Sequence, residues 1–251
     1  TVFAAQLSPA NTTMHRGEQL IHQVEEVLAI TGKQKLNLIG HSHGGPTVLY
    51  VAATQPQYIA SITGVAGTYH GSKVADDIQN NRLTRTAFNI LGDYIIGPLI
   101  ALGQFKPELE IDFDASMKSL TQTGSNTFNA TVAQQVVKDG VLASTENCNK
   151  NLKQKDSKGI HYYSWTGVAQ ATNALDIDTI LMQLGPLSYG SKDNDGMVSR
   201  CSAFMGKVIH DQYKLNHTDL ANMMFGLKGM FAPDPVALYR QHANRLKLEG
   251  L

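Results

Sequence analysis

The sequence has no excess of charge of either sign, because 21 Lys and Arg residues balance 21 Asp and Glu residues. This composition gives no support for a basic face that binds nucleic acid or an anionic membrane. Long hydrophobic runs are also absent, since the most apolar stretch, residues 88–102, contains Asp93 and two glycines. A bilayer-spanning helix needs about 20 mostly apolar residues. We therefore expect no nucleic-acid partner and no transmembrane segment.

Cysteine is scarce as well, with Cys148 and Cys201 as the two in the sequence. Two free thiols would suit a cytosolic protein and one disulfide an exported one, and sequence alone does not decide the geometry. A disulfide closing such a loop would stabilise the fold by roughly 4 kcal/mol in the chain-entropy model. No signal peptide is visible and the sequence begins at Thr1 without a methionine. We expect that an upstream segment was removed or is undetermined.

The most informative feature that is present is residues 38–45, Leu-Ile-Gly-His-Ser-His-Gly-Gly. A short apolar run precedes this stretch and a helical pattern follows it, which is the strand–turn–helix setting of the Gly-x-Ser-x-Gly nucleophile elbow. The turn is strained and needs small flanking residues, which Gly40 and Gly44 supply. The pattern predicts that Ser42 presents its hydroxyl at the edge of a sheet, with helix amides behind it.

Strand and helix patterns alternate along most of the sequence, which favours a parallel α/β sheet in a single domain, residues 1–251. Strands are predicted at 1–7, 35–40, 59–66, 160–166 and 187–189, with a strand-like stretch at 207–209, and helices at 16–31, 43–54 and 235–248. Residues 68–155 interrupt this alternation and are mostly helical. Within them, residues 84–105 form either an ordinary helix packed on the core or a mobile lid over an apolar site.

A nucleophilic serine needs a base within hydrogen-bond reach and a carboxylate that orients the base. In this kind of fold, both follow the serine in sequence order. The turn-prone cluster at 192–196 contains Asp195, and the loop at 216–219 contains His217 and precedes a predicted helix rich in Leu and Met. Asp195 and His217 are therefore the candidates for acid and base.

Alternatives to both residues remain open at this point. Asp193 could replace Asp195 as the acid. His210 lies in a strand-like stretch, and His242 lies within a predicted helix between two arginines. The Asp-x-Asp-Gly motif at 193–196 also resembles the start of a calcium-binding loop, but the glutamate expected at the twelfth position of such a loop is missing.

Several motifs together resemble the secreted triacylglycerol lipases typified by the Pseudomonas and Burkholderia enzymes. The likeness runs almost the whole length and rests on Arg16-Gly17-Glu18-Gln19-Leu20, Asn37 to Thr47, Tyr162-Tyr163-Ser164-Trp165, Asn194-Asp195-Gly196, Asn216-His217 with Asp219, Phe225-Gly226-Leu227 and Tyr239 to Leu246. It implies an α/β-hydrolase fold with a mostly parallel central sheet. It also implies that Ser42 is the nucleophile, Asp195 the acid and His217 the base, with the backbone N–H of His43 as half of the oxyanion hole.

The resemblance further implies a structural calcium ion and a disulfide. The expected calcium ligands are the carboxylates of Asp176 and Asp219 and the backbone carbonyls of Met223 and Leu227. The family usually has glutamine at position 223, which matters little for a backbone ligand. Cys148 and Cys201 match the family's disulfide, and residues 84–105 match its lid helix, within a helical lid or cap insertion at about 84–155.

The family's first strands, and the His-Gly loop that carries its second oxyanion donor, have no counterpart before residues 1–7. We therefore expect a missing strand between the strand at 1–7 and the strand at 35–40, which would leave them about twice ~4.8 Å apart. Another segment filling that position would be an alternative, and direct pairing of the two strands would contradict the expectation.

The resemblance implies hydrolysis of carboxylic esters of long-chain fatty acids at a lipid interface, through a Ser-His-Asp acyl-enzyme mechanism. It implies secretion through the periplasm with the help of a membrane-anchored, lipase-specific foldase. Two other functions stay open: a carboxylesterase for short soluble esters, and an inactive hydrolase fold that serves as a binding module.

Overall fold

The computed structural model describes residues 1–82, 84–86, 106–173, 178–223 and 226–251. At its centre is a four-stranded parallel sheet in which neighbouring strands follow one another in sequence order. The strands are β1 (Leu36–His41), β2 (Ile59–Val65), β3 (His161–Gly167) and β4 (Lys207–Tyr213). The predicted α/β class with a parallel sheet is confirmed, and the strand-like stretch at 207–209 is the start of β4.

Helices connect and cover these strands. In the described ranges they are α1 (Thr13–Thr31), α2 (Gly44–Thr54), α3 (Lys73–Asn80), α4 (Phe113–Leu120), α5 (Gln122–Thr131), α6 (Gln134–Lys138), α7 (Thr179–Met182), α8 (Leu184–Tyr189) and α9 (Pro235–Leu248). No helix among the described residues is long and apolar enough to cross a bilayer. The predicted lid segment, 84–105, lies almost entirely outside the described residues, so its two interpretations and the lid or cap insertion at 84–155 stay predictions.

The ends of α1 follow from local chemistry. The side-chain oxygen of Thr12 accepts a hydrogen bond from the N–H of His15 at the start of the helix, and Gly32 adopts the left-handed conformation (φ 65°) at its end. These are the residue types that satisfy the free amides and carbonyls of helix termini. The buried face of α1 includes Leu20 and Val24, which belong to the main core together with α2 and β2 residues. This packing fixes α2, the helix that follows Ser42.

The prediction of a strand at residues 1–7 is wrong. These residues form no strand and have no sheet pairing, and residues 1–5 are exposed. The N–H of Gln6 donates to Oε1 of Gln23 (2.9 Å), and its C=O accepts from Nε2 of the same side chain (2.6 Å). A side chain of α1 thus provides the hydrogen bonds that a neighbouring strand would provide. Residues 1–7 do not pair directly with β1. Because they form no strand, the expected distance between two strands does not apply.

Two other local predictions are also wrong. Residues 187–189 are helical, as the end of α8, which stops at Gly190 in the left-handed conformation (φ 62°). A short apolar run is ambiguous between strand and buried helix, which explains the error. After His217 the backbone forms a short 3₁₀ turn, Asp219–Ala221, in place of the predicted helix, and Asn222 ends it with φ 54°. Residues 224–225 lie outside the described residues.

Helix α9 is fixed to the sheet by a buried histidine. His242 is 1% exposed, and its ring lies edge-on to Tyr163 and Trp165 with centroid distances of 5.1 and 5.2 Å. Arg245 Nη1 donates to Nδ1 of the ring (2.9 Å), so Nε2 carries the proton and donates to Oγ1 of Thr63 (2.7 Å). Because both ring nitrogens have partners only in the neutral form, protonation of His242 would break this arrangement.

Burial, and secondarily the charge of Arg245, lowers the pKa of His242 from 6.5 to about 4. The unfolded protein therefore binds a proton at a higher pH than the folded protein does. The stability that neutral His242 contributes is complete above about pH 6.5 and is lost as the pH falls toward 4. We expect the substitution His242→Gln to remove about 2 kcal/mol of the fall in unfolding free energy between pH 7 and pH 5.

Urea denaturation at the two pH values measures this difference. His22→Gln is the matched control, because His22 lies exposed on α1 and its loss should leave the pH dependence unchanged. An unchanged pH dependence in the His242 variant would contradict the assignment.

Candidate active site

Ser42 lies in a tight turn between β1 and α2, in the conformation of a nucleophile elbow. Its φ is 56°, a left-handed value that is unusual for a residue with a side chain. Backbone hydrogen bonds hold the turn, since the N–H of Ser42 donates to the C=O of Val65 and the N–H of Gly45 donates to the C=O of Ser42, both at 2.9 Å. The first of these bonds ties the elbow to the end of β2. Strain of this kind persists only where the surrounding structure fixes it, and such positions cluster at active sites.

The glycines of the motif are not equivalent. A Cβ on Gly40 would lie 2.1 Å from the carbonyl oxygen of Gly44, because β1 and α2 cross closely there. A Cβ on Gly45 would lie 2.8 Å from Cα of Gly67, whereas one on Gly44 would have no atom of the described structure within 4 Å. The expectation that Gly40 and Gly44 are the small residues required is therefore corrected. The close approaches are at Gly40 and Gly45.

The structure brings together the three residues predicted for the nucleophile, base and acid. Oγ of Ser42 lies 2.7 Å from Nε2 of His217, and Nδ1 of His217 lies 2.8 Å from Oδ2 of Asp195. A proton on Nδ1, donated to the carboxylate, leaves Nε2 free to accept the hydrogen bond from the serine O–H. Asp195 is fully buried and His217 is 7% exposed. The fold thus places a base on the serine and a carboxylate on the base.

A tight turn orients the Asp195 carboxylate. Its Oδ1 accepts hydrogen bonds from the N–H groups of Met197 (3.0 Å) and Val198 (2.8 Å), which leaves Oδ2 for His217. The backbone carbonyl of Asp195 also accepts from the N–H of His217 at 2.8 Å. Acid and base are therefore joined twice, once through side chains and once through the backbone.

His41, directly before Ser42, is a contributor to the site that the sequence did not reveal. Nε2 of its ring lies 2.8 Å from the backbone carbonyl oxygen of His217, and the two imidazole rings lie 4.7 Å apart. Burial, and secondarily the nearby His217, lowers the pKa of His41 to about 3, so its ring is neutral and Nε2 donates to that carbonyl. In the sequence, the indication of this role was that His41 directly precedes the predicted nucleophile.

The alternatives for acid and base are resolved by position. Asp193 faces away from His217 and forms a two-pronged ion pair with Arg200, with distances of 2.7 and 3.0 Å. His210 is exposed and stacks on Tyr213. His242 bonds to β2 and α9, as described above. His217 is the histidine in contact with Ser42, and Asp195 is the carboxylate in contact with His217.

His43 is the first residue after the nucleophile and lies at the N-terminus of α2. Its buried ring fills the space between α1 and α4, with Nε2 2.9 Å from Oγ1 of Thr13 and Nδ1 3.2 Å from Oγ of Ser116. Burial first, and then the charge of Arg16, lowers the pKa of His43 well below 6.5. The neutral ring, held on both sides, fixes the orientation of the backbone N–H that the sequence suggests as an oxyanion donor.

Cys148 and Cys201 are joined by a disulfide with a Cα–Cα distance of 4.9 Å. The bond holds the segment six residues beyond Asp195, as the resemblance implies. Free thiols are excluded for these two residues.

The residues expected to bind calcium are described only in part. Asp176 lies outside the described residues. Asp219 is 1% exposed and its Oδ2 accepts from the N–H of Asn216 at 3.0 Å. Asp178, which the sequence analysis did not single out, is also buried and contacts the same segment, with Oδ1 3.4 Å from Nδ2 of Asn216 and Oδ2 bonded to Oγ1 of Thr218. In the sequence, the indication that Asp178 belongs to this region was its position two residues after Asp176.

The fold and the Ser42–His217–Asp195 contacts define the class of the serine hydrolases. A model of the alpha/beta hydrolase fold family matches residues 7–199. The protein belongs to the alpha/beta hydrolase fold family.

Two curated relatives and one solved structure illustrate the likeness. A triacylglycerol lipase of Vibrio cholerae is 43% identical over 256 residues, covering 100% of this chain and 78% of that protein. A triacylglycerol lipase of Burkholderia plantarii is 34% identical, covering 94% of this chain and 72% of that one. The crystal structure of Staphylococcus hyicus lipase matches with a TM-score of 0.57 at 16% identity, covering 97% of this chain and 84% of that one. The last comparison shows the shared fold alone.

The elbow geometry gives a direct test with two neighbouring glycines. We expect Gly40→Ala to lower the free energy of unfolding by about 3 kcal/mol, because the new methyl group overlaps the Gly44 carbonyl. Gly44→Ala is the matched control, and its stability should stay within about 0.5 kcal/mol of the wild type. Urea denaturation followed by circular dichroism gives both values. Equal effects of the two substitutions would contradict the close crossing of β1 and α2.

Proposed function

We propose that this protein is a triacylglycerol lipase that hydrolyses carboxylic esters of long-chain fatty acids through an acyl-enzyme. The observation that carries the proposal is the unbroken contact from Ser42 Oγ through His217 to Asp195. The two curated relatives described above are both named triacylglycerol lipases and match nearly all of this sequence. The geometry supports the reaction type, and the relatives support the substrate class.

In the first half of the reaction His217 Nε2 accepts the proton of Ser42 while Oγ attacks the acyl carbonyl carbon. The carbonyl oxygen gains the negative charge of a tetrahedral intermediate. The backbone N–H of His43 is the donor we assign to this oxyanion, supported by its position at the N-terminus of α2. The protonated His217 then donates to the leaving alkoxide, and the alcohol departs from the acyl-enzyme.

In the second half water replaces the alcohol. His217, neutral again, accepts a proton from a water molecule as the water attacks the ester carbonyl of acyl-Ser42. Collapse of the second tetrahedral intermediate breaks the bond to Oγ, and His217 returns the proton to the serine. The fatty acid leaves. Asp195 stays ionised throughout, holds the ring in the tautomer with the proton on Nδ1, and stabilises the imidazolium.

Long-chain esters form a separate phase in water, so a lipase meets its substrate at an interface. We assign residues 84–105 as the lid over an apolar site, on the basis of the sequence resemblance. A carboxylesterase for short soluble esters would differ in one measurable way. Its rate would not increase when the substrate passes from solution to emulsion, whereas we expect such an increase here.

We also propose that Ca²⁺ binds at Asp176, Asp219 and the backbone carbonyls of Met223 and Leu227. All of these donors are oxygens, which Ca²⁺ prefers. The residues that are described fit this group: Asp219 is buried at the start of the loop and Met223 is 46% exposed. A backbone carbonyl ligand does not depend on the side chain, so methionine can stand where the family usually has glutamine. The ion would supply no chemistry to the ester. It would tie the loop that carries His217 to the Asp176 loop.

We propose secretion through the periplasm, with a lipase-specific foldase as partner. The disulfide supports an oxidising compartment, where such bonds form and persist. The foldase rests on the resemblance to the Pseudomonas and Burkholderia lipases. Folding yields of the denatured protein with and without such a foldase would test it.

The roles in the triad predict a graded loss of activity. We expect Ser42→Ala and His217→Ala each to lower kcat on an emulsified triacylglycerol by about 10⁴-fold or more. Asp195→Asn should lower it by about 10³–10⁴-fold, because the amide favours the wrong tautomer of His217. Thermal unfolding of each variant shows whether the fold is intact.

Asp193→Asn is the comparison variant for the acid, and we expect it to lower kcat by less than about tenfold. It changes the same functional group two positions away, in a residue that contacts Arg200 and not His217. A larger loss in the Asp193 variant than in the Asp195 variant would overturn the assignment. Labelling of Ser42 by a phosphonate ester separates an active enzyme from an inactive binding module, since labelling requires an activated serine.

The calcium proposal predicts a stability effect that does not depend on activity. We expect addition of millimolar CaCl₂ to protein pretreated with chelator to raise the Tm, because the ion binds the folded state alone. Asp219→Asn should abolish this rise, while Asp114→Asn, on the surface helix α4, should keep it. A Tm that does not respond to Ca²⁺ in the wild type would contradict the site.

A further inference from the structure

A cluster of four charged side chains lies beside the hairpin that carries Asp195. Nε and Nη2 of Arg200 donate to the two carboxylate oxygens of Asp193, at 2.7 and 3.0 Å. Nη1 of Arg200 donates to Oδ2 of Asp211 at 2.6 Å, and Nζ of Lys150 lies 2.7 Å from the same oxygen. Each hydrogen bond in the cluster joins a cation to an anion, and the two cations share one oxygen of Asp211.

Arg200 closes the hairpin through both its backbone and its side chain. The N–H of Arg200 donates to the C=O of Asp193 at 3.0 Å, and residues Asn194 and Ser199 form an antiparallel bridge just inside this pair. Asp195 lies at the turn of this hairpin. The two-pronged ion pair from Arg200 to Asp193 therefore spans the open end of the segment whose closed end presents the triad carboxylate.

The remaining contact of Arg200 leads to the base. Asp211 belongs to β4, and the backbone runs from the end of this strand, at Tyr213, directly to His217. One guanidinium thus joins the hairpin that carries Asp195 to the strand that delivers His217. A shift of the hairpin along β4 would change the distance between the acid and the base.

The cluster is partly shielded from water and is braced covalently. The side chains of Arg200 and Asp211 are 16% and 8% exposed. Arg200 directly precedes Cys201, and Lys150 lies two residues after Cys148. The Cys148–Cys201 disulfide therefore holds the two segments together. Both cations also lie over the ring of Phe204, 5.9 Å from its centroid. The pair with Asp211 is the shielded one, and the pair with Asp193, whose side chain is 49% exposed, is the two-pronged one. Shielding strengthens an ion pair and two-pronged contact makes its geometry more specific.

The hydrogen bonds to Asp193, together with the contacts to Asp211, raise the pKa of Arg200 above its ordinary value and outweigh burial, which acts to lower it. At Asp211 burial acts to raise the pKa, but the hydrogen bonds from Lys150 and Arg200 outweigh it and hold the pKa below its usual range. Arg200 and Asp211 are therefore charged over the whole range in which an esterase is assayed.

We propose that Arg200 is a positioning residue for catalysis, which sets the separation of Asp195 and His217 by fixing the hairpin to β4. This inference rests on the proposed roles of Ser42, His217 and Asp195. It concerns the rate of the chemical step and not substrate binding, since the cluster contacts the hairpin and β4 without contacting Ser42. Loss of the Arg200 contacts should therefore lower kcat and leave KM unchanged.

The test compares Arg200→Gln, Arg200→Lys and the wild type on a soluble ester of a short fatty acid. We expect Arg200→Gln to lower kcat by about tenfold, because small misplacements of catalytic groups have effects of this size or larger. Lysine keeps the charge but not the planar fork, so Arg200→Lys should recover part of the loss. The rate of Ser42 labelling by a phosphonate ester should fall in parallel with kcat.

A spectroscopic signature separates positioning from a general loss of stability. The proton shared by His217 Nδ1 and Asp195 gives a far-downfield NMR resonance when the two are tightly held, and we expect it to broaden or disappear in Arg200→Gln. Asp193→Asn removes the charge and one of the two oxygens that Arg200 contacts. This variant should show the same changes to a smaller degree. It also provides a second route if the first variant folds poorly.

Lys118→Gln is the matched control, since Lys118 forms an exposed ion pair with Asp114 on α4. It should leave kcat, KM and the downfield resonance unchanged. The proposal is overturned if Arg200→Gln keeps the wild-type kcat, or if its Tm falls while kcat of the folded protein and the resonance stay unchanged. Absence of hydrolysis and of Ser42 labelling in the wild type would instead overturn the proposed function.

Discussion

The close crossing of β1 and α2 at Gly40 is the constraint on which the site depends. The strand reaches its last residue, turns within a few positions, and returns as a helix whose first carbonyl would overlap any side chain at Gly40. This sharp turn forces Ser42 to a left-handed φ and leaves its hydroxyl exposed to the base. The same geometry places the N-terminus of α2, and the backbone N–H of His43 that we propose as the oxyanion donor, directly after Ser42. The nucleophile and the proposed donor thus depend on the same turn.

The base is fixed by contacts from three separate parts of the sequence. His41 holds its backbone carbonyl from β1, Asp195 holds both its N–H and its ring, and Ser42 completes the contacts at Nε2. No strand or helix carries His217 itself, which lies in the loop after β4. The precision of this loop residue therefore comes from its partners. A site assembled in this way tolerates irregular backbone because its residues are bonded to one another and, through His41 and Ser42, to β1 and β2.

The sequence was most predictive where local backbone geometry demands particular residues. The apolar strand and the serine of residues 38–45 could be placed correctly because few other sequences form such a turn, although the close approaches are at Gly40 and Gly45 and not at Gly44. The strand at 1–7 was predicted wrongly because a strand is defined by its neighbour, and here the Gln23 side chain takes the neighbour's role. From the residues alone Asp193 stayed an alternative to Asp195, since the two lie in one short segment and differ in the direction of their side chains. The resemblance implied Asp195. Contacts such as that of His41 with the His217 carbonyl join residues 176 positions apart, and no local pattern reports them.

Burial of the Asp195 carboxylate shows why the acid is this residue and not its exposed neighbour. A buried charge without partners would be strongly unfavourable, but here two backbone N–H groups and one imidazole N–H occupy the carboxylate. In this shielded environment its interaction with a protonated His217 is stronger than it would be in water. Asp193, 49% exposed and bonded to Arg200, could offer His217 neither the direction nor the shielding. The hairpin therefore separates two nearby carboxylates into one that contacts His217 and one that contacts Arg200.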